Sequence, residues 1–110
     1  MRAFRFIPLF LAFFVSTTGL ADTISRPHAS DGVLFDHTRW TWGGGDSAAE
    51  IRESRETANL LCQHFGYSGS SGQFSFRRDT FNKGRHRLND DGTERYCDFC
   101  TGFFDYINCS

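Results

Sequence analysis

The most continuous apolar pattern of the chain lies near its N-terminus, where Phe6–Val15 is apolar apart from one proline. Two arginines precede this run, and the small residues Gly19 and Ala21 follow it at the spacing that a signal peptidase requires. The run is too short to cross a hydrocarbon core of about 30 Å, which needs about 20 apolar residues. The pattern predicts a signal peptide at residues 1–21, with a retained N-terminal anchor as the alternative.

One amphipathic helix is predicted near the middle of the chain. A capping box begins at Ser47, a second start signal lies at Ser54, and Gly66 is placed to end the helix. Apolar residues spaced by three or four positions predict its buried face: Ile51, Ala58, Leu61, Cys62 and Phe65. Charged residues on the rest of the helix predict a solvated face of ion pairs: Glu50, Arg52, Glu53, Arg55 and Glu56.

Short apolar or alternating segments predict strands on both sides of this helix. They are Val33–Phe35, Arg39–Trp42, Phe74–Phe76 and Phe103–Cys109. In the last segment, alternation places Phe104, Tyr106 and Asn108 on one face, and Phe103, Asp105, Ile107 and Cys109 on the other.

The remaining segments are predicted as turns, a loop and a tail. Ser68–Gly72 and Asn89–Gly92 carry turn residues, and the second is typical of a hairpin. Arg77–Arg87 is polar and basic and is predicted as a loop. The sequence therefore predicts a flexible tail at residues 22–31 and one α+β domain at residues 32–110, in which a helix packs on a small antiparallel sheet.

The charge balance limits the classes of partner. The 110 residues carry 12 Lys and Arg against 13 Asp and Glu, and loss of the two signal-peptide arginines would make the exported chain more acidic. A protein that binds nucleic acid or polyanions in general carries a basic excess. We therefore expect no nucleic-acid partner. We also expect no transmembrane segment after signal cleavage, because no second apolar run follows.

The four cysteines predict a disulfide framework. A domain of this size buries too little apolar surface to be very stable alone, and exported domains commonly add disulfides. The favoured pairing joins Cys62 to Cys109 and Cys97 to Cys100. In the chain-entropy model the long loop contributes about 4 kcal/mol and the short loop about 2 kcal/mol. The two crossed pairings remain alternatives.

Two other uses of these cysteines compete with the disulfides. Cys97 and Cys100 form a C-x-x-C motif, but the acidic Asp98 between them would disfavour the thiolate that redox catalysis needs. Together with Cys62 and His64 they would supply four zinc ligands. However, Cys62 and His64 are two residues apart and point to different faces of a helix. The sequence therefore predicts disulfides, with no metal and no cofactor.

Two segments resemble a known family of extracellular domains. Thr57–Ser70 contains the pattern A-x-x-x-C-x-x-x-G-Y followed by small residues, and Phe104–Cys109 is a strand that ends in cysteine. Both are similar to segments of scavenger receptor cysteine-rich (SRCR) domains, and small exported bacterial proteins of unknown function look similar too. The resemblance implies an extracellular ligand-binding module without catalysis.

Two groups of residues are candidate binding sites. The basic segment could bind the oxyanions of an anionic glycan, a lipid phosphate or a protein partner through Arg77, Arg78, Lys83, Arg85 and Arg87. The alternative is a solvated loop that nearby aspartates neutralise. Trp40 and Trp42 share one side of a predicted strand and would stack on sugar rings if exposed, whereas burial would make them core residues.

No local motif indicates catalysis, so we predict no catalytic residues. The sequence is most consistent with a secreted or periplasmic binding module whose ligand it does not identify. A small secreted enzyme or toxin is the main alternative, and a structural envelope protein is a third class. A deep pocket that joins His64 or His86 to a carboxylate would favour the enzyme, and a shallow basic or aromatic face would favour the binding module.

Overall fold

The computed structural model describes residues 22–39 and 47–110, and of residues 79–83, 99 and 101 it describes the backbone alone. The elements, in chain order, are β1 Asp22–Ser25, α1 Ser47–His64, β2 Ser70–Leu88 and β3 Glu94–Cys109. The strands form one antiparallel sheet in the order β1-β3-β2. The helix packs against this sheet, which confirms the predicted α+β fold.

Local signals in the sequence set several element boundaries. The helix begins at Ser47, the first of the two predicted starts. It ends before Gly66, whose φ of 97° is the left-handed conformation that glycine adopts easily. The turn at Asn89–Gly92 joins β2 to β3, and the Asn89 amide donates to the Thr93 carbonyl oxygen at 2.7 Å. These predictions are confirmed because each depends on residues close in sequence.

The segment that follows the predicted signal peptide is not a loose tail. Its first four residues form β1, in which Asp22 lies opposite Cys109 and Ser25 lies opposite Tyr106. The Tyr67 hydroxyl also donates to Asp22 Oδ2 at 2.6 Å. The sequence analysis missed this strand because it is short and polar, and its pairing partner lies at the far end of the chain.

Two other segments differ from their predicted structures. The basic segment is not a loop, because β2 continues through it to Leu88. Val33–Phe35 is not a regular strand: Leu34 and Phe35 form only isolated bridges, to His28 and His86. The bulged hairpin of β2 and β3 contains the predicted strands Phe74–Phe76 and Phe103–Cys109, and most of the predicted strand Arg39–Trp42 lies outside the described residues.

The predicted alternation of side chains along β3 is broken at Asp105. Ser75 pairs with Tyr106 and the next residue, Phe76, pairs with Phe104, so Asp105 is an extra residue on β3. Such a bulge reverses the alternation of side chains. Phe104 is consequently buried on the same side as Ile107 and Cys109, all with 0% exposure.

The buried face of α1 is rotated relative to the prediction. Ala58, Leu61 and Cys62 are fully buried, as predicted, but Ile51 is 43% exposed and Phe65 is 37% exposed. Toward the N-terminus of the helix the buried face is formed by polar residues instead: Glu50, Glu53, Ser54 and Thr57. The predicted solvated face is therefore wrong for Glu50 and Glu53.

Two disulfides join the cysteines in the favoured pairing. Cys62–Cys109 connects the last turn of α1 to the end of β3. Cys97–Cys100 closes a loop within β3, where its Cα atoms are 5.6 Å apart. Three extended residues would span about 10 Å. The short disulfide therefore accompanies another register shift of the hairpin, between the pairs Arg85–Cys97 and Lys83–Cys100.

Candidate functional site

The arginines of the basic segment do not form one exposed surface. Three of them bind carboxylates of the protein, in the pairs Arg77–Asp105, Arg78–Glu50 and Arg87–Asp36. Arg85 is only 7% exposed, and its guanidinium carbon lies 5.5 Å from the centre of the Phe103 ring. The predicted anion-binding set is therefore divided between surface and interior, and much of its charge is neutralised internally.

The other predicted binding residues lie outside the part of the chain that the structure describes. Trp40 and Trp42 fall in the segment 40–46, and the side chain of Lys83 is one of those not described. The signal peptide at residues 1–21 also lies outside the described residues.

A buried ionic network lies between α1 and the sheet, centred on His37. Its ring is stacked on Phe76, with 4.5 Å between ring centres. Nδ1 lies 3.1 Å from Asp36 Oδ1, and Nε2 lies 2.8 Å from Glu50 Oε2. A Cβ atom on Gly102 would come within 2.5 Å of the His37 ring, so only glycine leaves room for it.

The network holds its charges by mutual pairing. Carboxylates are acceptors, so both His37 contacts are hydrogen bonds only when both ring nitrogens carry a proton. Burial alone raises the pKa of Asp36, but His37 and Arg87 outweigh this effect and lower it. The hydrogen bond from Arg78 lowers the pKa of Glu50, with a further contribution from His37 against the effect of burial.

A second network surrounds Arg39, which is 6% exposed. Its guanidinium donates two hydrogen bonds to Glu53, from Nε to Oε2 at 2.9 Å and from Nη2 to Oε1 at 3.1 Å. It also donates to Glu56 at 2.8 Å and to Asp90 at 2.6 Å. The Arg39 network thereby joins α1 to the turn between β2 and β3.

A third cluster is partly exposed and contains two histidines. His64 Nε2 lies 3.0 Å from Glu94 Oε2, and His86 Nδ1 lies 3.8 Å from Glu94 Oε1. His86 Nε2 lies 2.9 Å from Asp31 Oδ2, and this hydrogen bond lowers the pKa of Asp31. The Phe35 ring contacts both imidazoles, in a T-shaped arrangement with His64 and a tilted one with His86. His64 therefore lies within hydrogen-bond distance of Glu94, whereas His86 Nδ1 approaches the same carboxylate without a hydrogen bond and is buried with no hydrogen-bond partner among the described residues.

A cavity of about 240 Å³ adjoins this cluster at His64. It is lined by Leu60, Gln63, His64, Asp90, Asp91 and Gly92. Asp91 accepts two hydrogen bonds from Thr93, which lower its pKa. This cavity joins His64 to carboxylates, but His86 does not line it, so it does not combine the two imidazoles in one pocket.

A larger groove, of about 570 Å³, lies between the exposed side of α1 and the start of β2. It is lined by Arg39, Arg55, Glu56, Asn59, Leu60, Ser70, Ser71 and Gly72. Its volume falls in the range of about 300–1,000 Å³ that small-molecule sites occupy. The groove is close to the covalent anchor of the fold, because Ser70 pairs with Cys109.

Sequence reasoning missed the buried networks and the groove, although a signal for the networks was present. Counting back in repeated steps of four residues leads from Leu61 to Glu53, and from Ala58 to Ser54 and Glu50. An apolar stripe that continues through carboxylates predicts buried partners for them. The groove had no such signal, because it joins residues from two elements.

The described residues show neither a metal-binding arrangement nor a membrane span. None of their groups of three or more His, Cys, Asp and Glu residues could hold a metal ion. The sulfurs of the alternative zinc set are divided between the two disulfides. Within the same residues, no helix has the length and apolar character to cross a bilayer.

The chain matches no protein-family model, no curated protein and no solved structure. The resemblance to SRCR domains therefore stays a prediction.

Proposed function

We propose that the chain is an exported binding module whose ligand occupies the groove between α1 and β2. The observation that carries this proposal is the groove itself, the larger of the two cavities described above, with polar groups from both elements converging on an apolar leucine. Convergent polar groups in a concave site of this size are the usual basis of ligand recognition. The disulfides would keep the two walls in register outside the reducing cytosol.

Export is part of the same proposal. Cleavage after Ala21 would leave β1 intact, because that strand begins at Asp22. N-terminal sequencing of the protein recovered from the extracytoplasmic fraction should begin at Asp22. Recovery of the protein only from the cytosol, with four free thiols, would contradict export.

The binding role is tested with immobilised envelope and matrix polymers: heparin, lipopolysaccharide, chitin, amylose and peptidoglycan. The oxidised protein should be retained by at least one of them, and Ser71→Trp should abolish retention by filling the groove from an exposed position. Arg52→Ala is the matched control, because Arg52 is an exposed helix residue that does not line the groove. No retention, or equal retention of Ser71→Trp, would overturn the proposal.

The same experiment tests the basic segment as the binding site. Arg77 is its most exposed described arginine, with a side-chain exposure of 66%. If the predicted anionic glycan or lipid phosphate binds there, Arg77→Glu should reduce retention on heparin or lipopolysaccharide while Ser71→Trp leaves it unchanged. That result would move the binding site from the groove to the sheet.

A second candidate function is a small secreted enzyme that uses the cluster of His64, Glu94 and His86. The observation that favours it is the approach of two imidazoles to one carboxylate, at 3.0 Å and 3.8 Å, because His and Glu side chains can act as general acids and bases. Chromogenic ester, phosphodiester, glycoside and peptide substrates test this function. Turnover that His64→Gln removes and His28→Gln retains would support it. Absence of turnover, or turnover that survives His64→Gln, would reject it.

A further inference from the structure

The groove carries unused hydrogen-bond donors on its helix wall. Within the described part of the chain, Arg55 has no hydrogen-bond or ion-pair partner. Asn59 Oδ1 accepts a hydrogen bond from the Ser70 amide at 3.0 Å, which fixes the orientation of the side-chain amide. The two N–H groups of Asn59 are then left for a ligand, because no described residue accepts from them.

The position of Asn59 is built into the fold. A Cβ atom on Gly69 would collide with Asn59 Oδ1, so the backbone at Gly69 admits the amide only because that residue is glycine. Asn59 and β2 are thus held together before any ligand arrives. Preorganised donors of this kind lose little conformational entropy when a ligand binds.

Acceptors lie beside these donors. Glu56 Oε1 accepts from Arg39, and within the described residues Oε2 has no partner. The Ser71 hydroxyl donates to the Asn108 carbonyl oxygen at 3.3 Å, which leaves its lone pairs as acceptors. Leu60 supplies apolar surface in the same groove. The groove therefore presents donors, acceptors and an apolar contact together.

The local charge argues against an anionic ligand. Arg39 and Arg55 are the two cations of the groove, and Arg39 already binds three carboxylates, from Glu53, Glu56 and Asp90. Glu53 and Asp90 do not line the groove, but together with Glu56 they neutralise Arg39, so an anion would meet the charge of Arg55 beside the opposing charge of Glu56. A neutral ligand avoids this repulsion and can still use every donor and acceptor.

We infer that the groove binds a neutral saccharide unit. Each sugar hydroxyl donates and accepts hydrogen bonds at once, as a serine hydroxyl does, and the ring C–H groups would meet Leu60. Arg55 and Asn59 donate to sugar oxygens, and Glu56 accepts from a sugar hydroxyl. This assignment deepens the proposed function and rests on it, since it names the ligand class of the same groove.

The test is an NMR titration of the ¹⁵N-labelled oxidised protein. Three neutral probes are used separately, namely chitotriose, maltotriose and cellotriose, and a heparin-derived hexasaccharide is the anionic probe. At least one neutral probe should shift the amide signals of Asn59, Leu60 and Ser71. Affinity should fall about tenfold in Arg55→Ala, the loss of one charged hydrogen bond.

The most selective variant is Asn59→Asp. It retains an oxygen acceptor for the Ser70 amide and replaces the free N–H₂ group by a second carboxylate oxygen, so the donor is lost and a negative charge is added. We expect it to weaken binding of the neutral probe by about tenfold as well. Arg52→Ala should bind as the unsubstituted protein does.

The outcomes separate the two proposals. If only the heparin fragment shifts the groove amides, the binding function stands and the assignment of a neutral saccharide is wrong. If no probe of either class shifts them, both proposals fail. Binding of a neutral probe that Arg55→Ala and Asn59→Asp leave unchanged would also overturn the assignment.

Discussion

The two halves of α1 bury their inward side chains by different physical means. The C-terminal half uses Ala58, Leu61 and Cys62, which pack with Phe104, Ile107 and Cys109. The N-terminal half uses Glu50 and Glu53, which bind His37, Arg78 and Arg39. Removal of apolar surface from water stabilises the first half directly, at about 25 cal/mol per Å².

The ionic half follows a different rule. Desolvation of a buried ion pair roughly cancels its attraction, so the complete network contributes little net stability. Removal of one partner is costly, because the other charge then stays buried without compensation. The comparison teaches that the apolar half determines how stable the fold is, whereas the ionic half makes one arrangement of the helix on the sheet much better than its alternatives.

The largest loss of stability should come from removing the Cys62–Cys109 disulfide, which links the apolar half of α1 to β3. Replacing Cys62 and Cys109 together by alanine removes a crosslink between residues 47 apart and should lower the free energy of unfolding by about 4 kcal/mol. Replacing Cys97 and Cys100 by alanine should cost about 2 kcal/mol. Urea denaturation followed by circular dichroism measures both. Equal losses would contradict the greater importance of the long crosslink.

Breaking the ionic half should have the next largest effect. Glu50→Gln leaves Arg78 and His37 without their charged partner and should cost about 3 kcal/mol. Glu56→Gln is the matched control on the same helix. Its side chain is 65% exposed, and we expect a loss below about 1 kcal/mol. Similar losses in the two variants would show that burial of Glu50 does not govern its contribution.

A steric change at Gly102, beside the His37 ring, tests the packing of the ionic half. In Gly102→Ala the new Cβ atom would meet the His37 ring and the Arg77 carbonyl oxygen, and the backbone contact cannot move away. We expect a loss of about 2 kcal/mol. Gly84→Ala meets only the side chain of Tyr96, which is 59% exposed and can swing into solvent. Thermal unfolding should therefore show a smaller loss for Gly84→Ala, and a larger one would contradict the packing described for His37.

The smallest expected effect is the loss of thermal stability at acidic pH. The pKa values of Asp36 and Glu50 are lowered from ordinary values of 3.8 and 4.5. Their stabilising contribution is therefore fully present above about pH 5 and is lost as the pH falls through the folded-state pKa values. The melting temperature should fall below about pH 4.5, and less steeply in Glu50→Gln. A melting temperature independent of pH down to pH 3 would contradict the pairing of these carboxylates.

Features that depend on neighbouring residues were predictable from the sequence. The Ser47 start of α1, the Gly66 end and the hairpin turn at Asn89–Gly92 each follow from residues within a few positions. Loop lengths favoured the disulfide pairing that the structure contains, although they left the two crossed pairings open. These features need no knowledge of the rest of the fold.

Features that depend on distant partners could not be read in the same way. Glu50 is buried because Arg78, 28 residues later, reaches it, and Arg39 depends on Asp90, 51 residues later. The single extra residue at Asp105 reverses the faces of β3 without any mark in its alternation. The groove likewise exists only because Asn59 and Ser70 meet.

The unequal spans of the two disulfides favour one order of oxidative assembly. Cys97 and Cys100 are three residues apart, so their thiols meet far more often in a disordered chain than Cys62 and Cys109, which are 47 apart. Once the near pair has closed, the distant two have no other partner. Early closure of the Cys97–Cys100 disulfide would thus exclude both mispaired isomers.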